Sequence, residues 1–403
     1  MGLINQKFNS ILPTEIVFGK GIVASDLANK LLDLNVQKVL IVSDSGLKNL
    51  GIIDGIADSL RVGGVEPFIF AEVEPNPTME AVHQGRKVYF QHNCTGIVAI
   101  GGGSSLDAAK AIAVASVNEG DVNQYGRGKK TIKGPLPPTI MIPTTAGTGS
   151  EVTNVAVITD TRQKRKFVLA STYLIPTCAF VDPVMTYSLP PKLIAATGMD
   201  ALVHSIESYV NNRAQPISDA LALEAIKMLR KYLPKSYADP TNEEAKAQVL
   251  LASTIAGLSF SMSGTALVHS LSHPMTAWFE VPHGLANAII LPYVMEFNLI
   301  ANYEKYAEVA YLFEEETRNL SVYKAAEKLV DHLKNFARKL DIPENFNYLS
   351  EVIDEEVIEG LTRDAMDDRG TFPNNPRKPS KEEVRALYQQ LLPQYKATMA
   401  INY

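Results

Sequence analysis

Histidines are scarce in this chain, and most of them lie in one part of it. The sequence contains 7 histidines, among them His204, His269, His273 and His283. His269 and His273 are four positions apart, and Asp200 has the same spacing from His204. Residues four apart on a helix project from the same face. The two side chains of each pair could therefore contact the same metal ion.

The chemistry of these five side chains favours a catalytic metal. One carboxylate with two or three neutral imidazoles suits Fe(II) or Zn(II) and leaves a position open for a substrate oxygen. A single histidine on a helix is usually structural or merely exposed, but two helix-spaced pairs with His283 at a loop or helix start favour a metal site. Spacing alone does not decide which of the five are ligands. His83, His92 and His332 have no such neighbours in the sequence and are given no role.

A glycine-rich run is the second feature with chemical potential. Gly101, Gly102, Gly103, Ser104 and Ser105 follow an apolar segment and lead into a helical pattern. Glycines let a backbone approach an anion closely, and the free amides of a helix's first turn bind phosphate oxygens. We therefore predict a pyrophosphate site here, although glycine-rich turns also occur for purely steric reasons. The run departs from the usual dinucleotide-binding spacing.

Two further polar segments end predicted strands. Asp44 follows one strand, where a carboxylate could accept both ribose hydroxyls of an adenosine and repel a 2′-phosphate, which favours NAD over NADP. An aspartate in such a turn is equally ordinary cap chemistry. Asp44 also precedes the glycine run, so the order differs from a standard Rossmann unit. The loop with Thr144, Thr145 and Thr148 could line a cofactor cleft, or be only a polar loop.

The elements that must position these residues change character along the chain. The first part alternates short apolar runs with helical patterns, which predicts a mostly parallel sheet covered on both faces, with ligands at the carboxyl ends of its strands. The predicted strands are Glu15 to Phe18, Lys38 to Val42, Pro67 to Phe70, Gly96 to Ile100, Thr139 to Ile142 and Ala179 to Val181, and the helices include Thr78 to Gln91 and Ser105 to Val117.

The second part is predicted to be helical. Helix-period patterns cover Ile194 to Asn211, Ile217 to Leu233, Asn242 to Ser261 and Tyr303 to Phe313. The composition shift and a helix-start signal coincide at Pro190-Pro191, so we predict an α/β domain over residues 1–189 and an all-helical domain over 190–403. Near the end of the chain, Ser380 and Glu383 make a capping box that opens the last helix.

Composition excludes several classes of protein. The 403 residues are 46% hydrophobic and 20% charged, which is globular and not disordered. A net charge of −6 argues against a nucleic-acid partner. Two cysteines, an N-terminal segment unlike a signal peptide and no apolar run near eighteen residues predict a cytoplasmic protein without a membrane partner.

Taken together, the motifs resemble those of the iron-dependent (group III) alcohol dehydrogenase family over essentially the whole chain. The matching segments are Glu74 to Thr78, Gly101 to Asp107, Pro143 to Glu151, Ala196 to Tyr209, His269 to His283 and Asn375-Pro376-Arg377. The resemblance implies a dehydroquinate synthase-like architecture. In it, an N-terminal dinucleotide-binding domain precedes an all-helical domain, and the active site lies in the cleft between them.

The resemblance also implies roles for individual residues. The family's metal ligands match Asp200, His204, His269 and His283, and His273 matches a non-ligand histidine beside nicotinamide and substrate. The positions that match cofactor-contacting residues of the family are Asp44, Asn76, Gly101, Gly102, Gly103, Ser104, Ser105, Asp107, Thr144, Thr145, Thr148 and Lys166.

The implied activity is reversible hydride transfer between a small primary alcohol or diol and NAD, with Fe²⁺, or else Zn²⁺, as the metal. Small alcohols and aldehydes would be the substrates, and the chain would form a homodimer or larger homo-oligomer. Alternatives are a hydroxyacid–oxoacid transhydrogenase, a glycerol dehydrogenase-like enzyme or, outside enzymes, a metal- or nucleotide-binding regulator.

Overall fold

The computed structural model describes residues 8–126, 128–163 and 165–393. The predicted lack of a signal peptide involves residues 1–7, which lie outside the described residues. The strands are β1 Glu15–Phe18, β2 Lys38–Val42, β3 Glu66–Phe70, β4 Gly96–Gly101, β5 Thr139–Pro143, β6 Val155–Asp160, β7 Arg165–Ala170 and β8 Cys178–Val181. The helices are α1 Ile22–Ser25, α2 Leu27–Asp33, α3 Ser45–Asn49, α4 Ile52–Val62, α5 Met79–Gln91, α6 Gly103–Val117, α7 Pro191–Val210, α8 Pro216–Ala238, α9 Glu243–Ser263, α10 Leu267–Phe279, α11 His283–Asn298, α12 Tyr303–Phe313, α13 Val322–Arg338, α14 Glu355–Met366 and α15 Lys381–Leu391.

The described residues form two compact units. Among the described residues, one unit contains those up to 190 together with 239–261, and the other contains 191–238 and those from 262 onward. The predicted division at residue 190 assigns 239–261 to the helical domain, whereas in the structure most of α9 belongs to the first unit. Its contacts explain this: Thr254 donates to the Glu151 carboxylate at 2.7 Å, and Lys246 donates to the Thr186 carbonyl at 3.0 Å. A helical period shows that a segment is helical but not which unit it packs against.

The first unit is built on a six-stranded parallel sheet in the order β1-β8-β5-β4-β2-β3. Apart from the edge strand β1, this is the flavodoxin-like order 2-1-3-4-5, which reverses between β2 and β4. Loops leaving adjacent strands in opposite directions open a crevice at such a point. The ends of β2 and β4 carry Asp44 and the glycine run.

The sheet is covered on both faces, as the continuous apolar runs predict. Leu40 and Val42 of β2 pack with Leu106 and Ile112 of α6 on one face. Alternate residues of β2 pack on the other face with α2 and α4. Strands buried on both faces lack the polar alternation of half-exposed strands, which is why their predicted bounds agree closely with the structure.

An antiparallel pair of strands, β6 and β7, was not predicted from the sequence. Residues of β6 alternate between half-buried and buried positions, which is the pattern of a strand with one face on the core. The sequence does not show this alternation, because Val155, Ala156, Val157 and Ile158 are all apolar; the available signal was the run of β-branched residues before a polar turn. The hairpin carries Lys166 on β7.

The second unit is helical, as predicted. Its helix α7 is buried over most of its length, and α8, α10 and α11 pack within the same unit. The stretch His283–Ala301 has a mean hydropathy of 1.4 and is long enough to cross a membrane, contrary to the expectation that no run approaches that length. However, 61% of it is buried inside the protein. A core helix is apolar because it is surrounded by other helices, so this stretch is weak evidence for a membrane span.

One buried cation holds the first unit together. Lys110 of α6 donates to the hydroxyls of Ser150 and Thr153 and to the carbonyls of Thr153 and Val155, all within 3.0 Å. Burial lowers the pKa of Lys110 to about 8, although Asp107 and Glu151 act in the opposite direction. The ammonium group therefore connects α6 to the start of β6.

We expect Lys110→Met to destabilise the protein by about 3–5 kcal/mol, because buried carboxylates and carbonyls lose their cation. Urea unfolding of the variant would measure the loss. Lys87→Met, an exposed lysine on α5, is the control and should change the free energy of unfolding by less than about 0.5 kcal/mol. Equal stability of the two variants would contradict this role for Lys110.

Candidate metal and cofactor sites

Three helices of the second unit bring the predicted metal ligands together. Asp200 and His204 lie on α7, His269 lies on α10, and His283 is the first residue of α11. One ligand atom from each of Asp200, His269 and His283 lies within 4.8 Å of the others. His204 lies beside them, with its Nε2 3.9 Å from an Asp200 oxygen and its ring stacked on that of His269.

A glycine makes this approach possible. A Cβ on Gly284 would lie 2.4 Å from the carbonyl oxygen of Ala196, which is too close for any side chain. The start of α11 therefore packs directly on the backbone of α7. This close packing places His283 beside Asp200.

Burial keeps two of the imidazoles neutral. Desolvation lowers the pKa of His269 and of His283 well below 6.5, and the neighbouring histidines add to the effect in both cases. Neutral imidazoles are the form that binds metals. The two rings are therefore ready to act as ligands at neutral pH.

The donor atoms fit a cation. The Asn287 amide nitrogen lies 2.7 Å from an Asp200 oxygen, 3.3 Å from His269 Nε2 and 3.1 Å from His283 Nε2, so three acceptors converge on one position. Within the described chain, the amide oxygen of Asn287 is buried without a hydrogen-bond partner. Converging acceptors beside an unsatisfied oxygen are the pattern expected where a bound cation completes the contacts.

Sequence reasoning missed a carboxylate that orients one of these histidines. Glu207 lies on α7 and is buried, and it accepts hydrogen bonds from the backbone amides of Ala266 and Val268 at 2.9 and 2.6 Å. It also lies 2.6 Å from His269 Nδ1, which leaves Nε2 facing the other ligands. Burial raises the pKa of Glu207 to about 7, against the opposing effect of its hydrogen bonds. Its place three residues after His204 was the available signal.

His273 lies beside the group but is more open. Its ring stacks on that of His283 at 5.4 Å between centroids, and its side chain is 43% exposed. Its Nδ1 lies 2.8 Å from an Asp368 oxygen. Asp368 is the second residue near the site that sequence reasoning did not find.

In the first unit, the glycine run forms the turn between β4 and α6. Gly101 has a φ of 154°, and a Cβ there would lie 2.5 Å from the Ser105 hydroxyl oxygen, while one on Gly103 would lie 2.8 Å from Thr148. At these two positions glycine is required because any side chain would clash with a neighbour. A Cβ on Gly102, at the N-terminus of α6, would meet only ordinary contacts with Thr145 at 3.5 Å, so packing within the chain does not require this glycine. A glycine at the start of a helix lets an anion approach the backbone amides closely.

The remaining predicted cofactor residues fall into two groups. Asp44 is half-buried and caps α3 by accepting from the Leu47 amide at 3.0 Å, while one of its oxygens lies close to Gly101. The side-chain oxygen of Asn76 accepts a hydrogen bond from Lys166 at 2.7 Å. The backbone amide of Asn76 donates to the Ser104 hydroxyl at 3.3 Å. These residues surround the same turn.

Others face inward. The Asp107 oxygens accept from the Ser150 hydroxyl at 2.7 Å and the Val157 amide at 2.8 Å, and burial raises the pKa of Asp107. Ser105 and Thr144 are buried, whereas Thr145 and Thr148 are partly exposed. In the structure, Asp107 therefore supports the start of β6 and the loop before it.

Comparisons with known proteins identify the family. Residues 13–183 match the model for iron-containing alcohol dehydrogenases, and residues 194–392 match the C-terminal model of the same family. The chain belongs to the iron-containing alcohol dehydrogenase family. This finding confirms the predicted family, fold class and type of enzyme, with NAD and iron as the cofactors of the class.

Its relatives and solved structures agree. The chain is 38% identical to the NAD-dependent methanol dehydrogenase of Bacillus methanolicus over 95% of this chain and 100% of that protein. It is 37% identical to the 1,3-propanediol dehydrogenase of Klebsiella pneumoniae, over 95% and 98% of the two chains. A crystal structure of 1,3-propanediol oxidoreductase superposes with a TM-score of 0.91 at 36% identity, over 96% of this chain and 100% of that one.

We expect His269→Ala to abolish tight metal binding, because His269 is one of three converging donors. Metal analysis of protein purified without oxygen measures this directly. Added Fe(II) or Zn(II) should raise the Tm of the metal-free parent protein, since a ligand that binds the folded state stabilises it. Added metal should leave the Tm of the variant unchanged. His92→Ala, which removes a histidine of the first unit, is the control. Full metal content in His269→Ala would mean that another residue completes the site.

Proposed function

We propose that this protein oxidises a small primary alcohol or diol with NAD, reversibly, at a metal held by Asp200, His204, His269 and His283. The observation that carries the proposal is the buried convergence of a carboxylate and neutral imidazoles on one position. Three or four such donors match Fe(II), with Zn(II) as the other candidate, and leave room for a substrate oxygen.

The metal would supply Lewis-acid chemistry, lowering the pKa of the alcohol hydroxyl so that its proton is lost near neutral pH. The protein's own residues then have two tasks. They orient the alcohol carbon toward nicotinamide C4, to which the hydride passes, and they accept the hydroxyl proton. We assign the second task to His273, whose exposed ring lies beside His283. The products are aldehyde, NADH and one proton.

We propose that NAD binds where the strand order of the sheet reverses, between β2 and β4. The backbone at Gly102 and the first turn of α6, with Gly101, Gly103, Ser104 and Ser105, would hold the pyrophosphate. Asp44 would accept the ribose hydroxyls, and Thr144, Thr145 and Thr148 would line the nicotinamide end. The linked pair Asn76 and Lys166 would contact the cofactor on the other side of the turn. Asp107 would act through the loop that it supports.

The substrate class follows the relatives, which include enzymes named for methanol, 1,3-propanediol and lactaldehyde. We propose a cytoplasmic enzyme that acts on small alcohols and aldehydes without nucleic-acid or membrane partners. We also propose a homodimer or larger homo-oligomer. The edge strand β1 exposes Ile16 and Phe18, which a second copy could cover.

NADH formation with a panel of alcohols tests the function. We expect protein purified without oxygen to hold about one iron per chain and to reduce NAD with at least one of ethanol, 1-butanol, 1,2-propanediol or 1,3-propanediol. A chelator should remove the activity and Fe(II) should restore it. Metal-free protein without NADH formation would contradict the proposal. Cofactor that stays bound through the reaction would instead indicate a transhydrogenase.

Cofactor choice tests the role of Asp44. We expect Asp44→Gly to admit NADP, raising the ratio of kcat/KM for NADP to that for NAD on the order of tenfold, because a repulsive carboxylate is removed. Asp44→Ser separates this from the capping role, since serine still caps α3 but carries no charge. An unchanged ratio in both variants would show that Asp44 does not face the adenosine ribose.

A further inference from the structure

Asp368 follows α14 in a loop and contacts the histidine to which we assign proton transfer. One of its oxygens, Oδ2, lies 2.8 Å from His273 Nδ1. The other, Oδ1, accepts hydrogen bonds from the backbone amides of Gly370 at 2.9 Å and Thr371 at 3.2 Å. The two oxygens thus have separate tasks: one holds the loop, and the other faces the imidazole.

The loop that carries Asp368 is fastened to the helix that carries His273. The Thr371 hydroxyl lies 2.6 Å from that of Ser270 on α10. The Asn374 amide donates to the Thr265 carbonyl at 2.9 Å, just before α10 begins. The segment that follows Asp368 is therefore fixed to α10 and to the residue just before it.

A second anchor explains part of the Asn375-Pro376-Arg377 motif. Asn375 and Asn298 of α11 exchange two hydrogen bonds at 2.8 and 2.9 Å. Arg377 donates to the Phe297 carbonyl at 2.8 Å and lies over the Phe297 ring. The motif thus ties the loop to α11, the helix that begins with His283.

Asp368 is placed as a hydrogen-bond acceptor on both sides, with Oδ1 on two backbone amides and Oδ2 against the imidazole. Burial raises the pKa of Asp368, and its hydrogen bonds to His273, Thr371 and Gly370 act in the opposite direction. An ionised carboxylate only accepts hydrogen bonds. The imidazole nitrogen that faces it must therefore carry a hydrogen.

We propose that Asp368 is a positioning residue that fixes His273 as the Nδ1–H tautomer and presents its Nε2 as the proton acceptor. This inference rests on the proposed function, in which His273 receives the hydroxyl proton. In a neutral imidazole, a hydrogen on Nδ1 leaves the lone pair on Nε2. The carboxylate also stabilises the ring after it has accepted the proton, as in other carboxylate–histidine pairs.

Asp368→Asn is the decisive variant because the two oxygens act separately. The amide oxygen can take the place of Oδ1 and keep the loop, which puts the amide NH₂ against His273 Nδ1. That nitrogen must then accept, the ring hydrogen moves to Nε2, and the proton acceptor is lost. We expect the single-turnover rate of NADH formation to fall about 100-fold, in the range of general-base catalysis. The KM for NAD and the metal content should stay within about twofold of the parent values.

A double-mutant cycle separates positioning from a structural role. If Asp368 acts through His273, adding Asp368→Asn to His273→Ala should lower the rate no further than His273→Ala alone. If the rate losses of the two single variants instead multiply in the double variant, the proposal is wrong. Ser270→Ala, which removes the hydroxyl contact between α10 and Thr371 but none of the contacts of Asp368, is the matched control for damage to the loop and should retain most of the rate.

The tautomer can also be observed without catalysis. In zinc-loaded protein labelled with ¹⁵N-histidine, NMR should show the His273 hydrogen on Nδ1 in the parent and on Nε2 in Asp368→Asn. The same tautomer in both would overturn the proposal. If the parent forms NADH and Asp368→Asn forms it at the same rate, the positioning role is wrong but the proposed function stands. An inactive parent would disprove the proposed function, while the NMR result would still report on the Asp368–His273 pair.

Discussion

The second unit depends on placing neutral imidazoles and a carboxylate at one buried point. Desolvation favours the uncharged form of His269 and His283, and metal binding needs that same form. Burial therefore prepares the ligands instead of opposing them. The carboxylate of Asp200 has no such advantage, since removing its charge from water is costly unless a partner is present. A cation at the point of convergence would offset that cost.

This requirement accounts for the local packing. The imidazoles must approach a carboxylate on another helix, and Gly284 allows this because any side chain would meet the Ala196 carbonyl. Glu207 then fixes one ligand and at the same time accepts two amides at the N-terminus of α10. One buried carboxylate thus couples the start of a helix to the direction of a ligand, so that the helix and the ligand cannot shift independently.

The first unit meets a different constraint. A parallel sheet with this strand order opens a crevice where the order reverses, and the chain places its open glycine turn and Asp44 there. The loop beside that turn contains polar groups that the sheet cannot satisfy. Lys110 and Asp107 of α6 satisfy them, and Thr254 of α9 donates to Glu151 within that loop. Buried charges in this unit therefore support the loop beside the glycine turn.

Much of the fold could be predicted because its signals are local. Buried parallel strands are short apolar runs, so β2 and its neighbours were located to within a residue, and the Ser380 capping box begins α15 as predicted. The hairpin of β6 and β7 was missed because β6 buries one face without an alternation of apolar and polar residues in its sequence. The place of α9 was missed because helical periodicity is the same in either unit.

The candidate site divides in the same way. A metal site could be proposed because two helix-spaced pairs of side chains and His283 lie in one part of a chain with few histidines, whereas the choice of ligands among them came from the resemblance to the family. Glu207 and Asp368 were missed because their significance lies in partners far along the chain: Asp368 is 95 positions from His273. Nothing in the sequence around Asp368 distinguishes it from an ordinary turn aspartate. One of its oxygens does act as in an ordinary turn, by accepting from the backbone amide of Gly370. The other oxygen acquires a role because residues 371–377 tie the loop to α10 and α11. A side chain that orients another residue is therefore visible only once the fold has brought the two together.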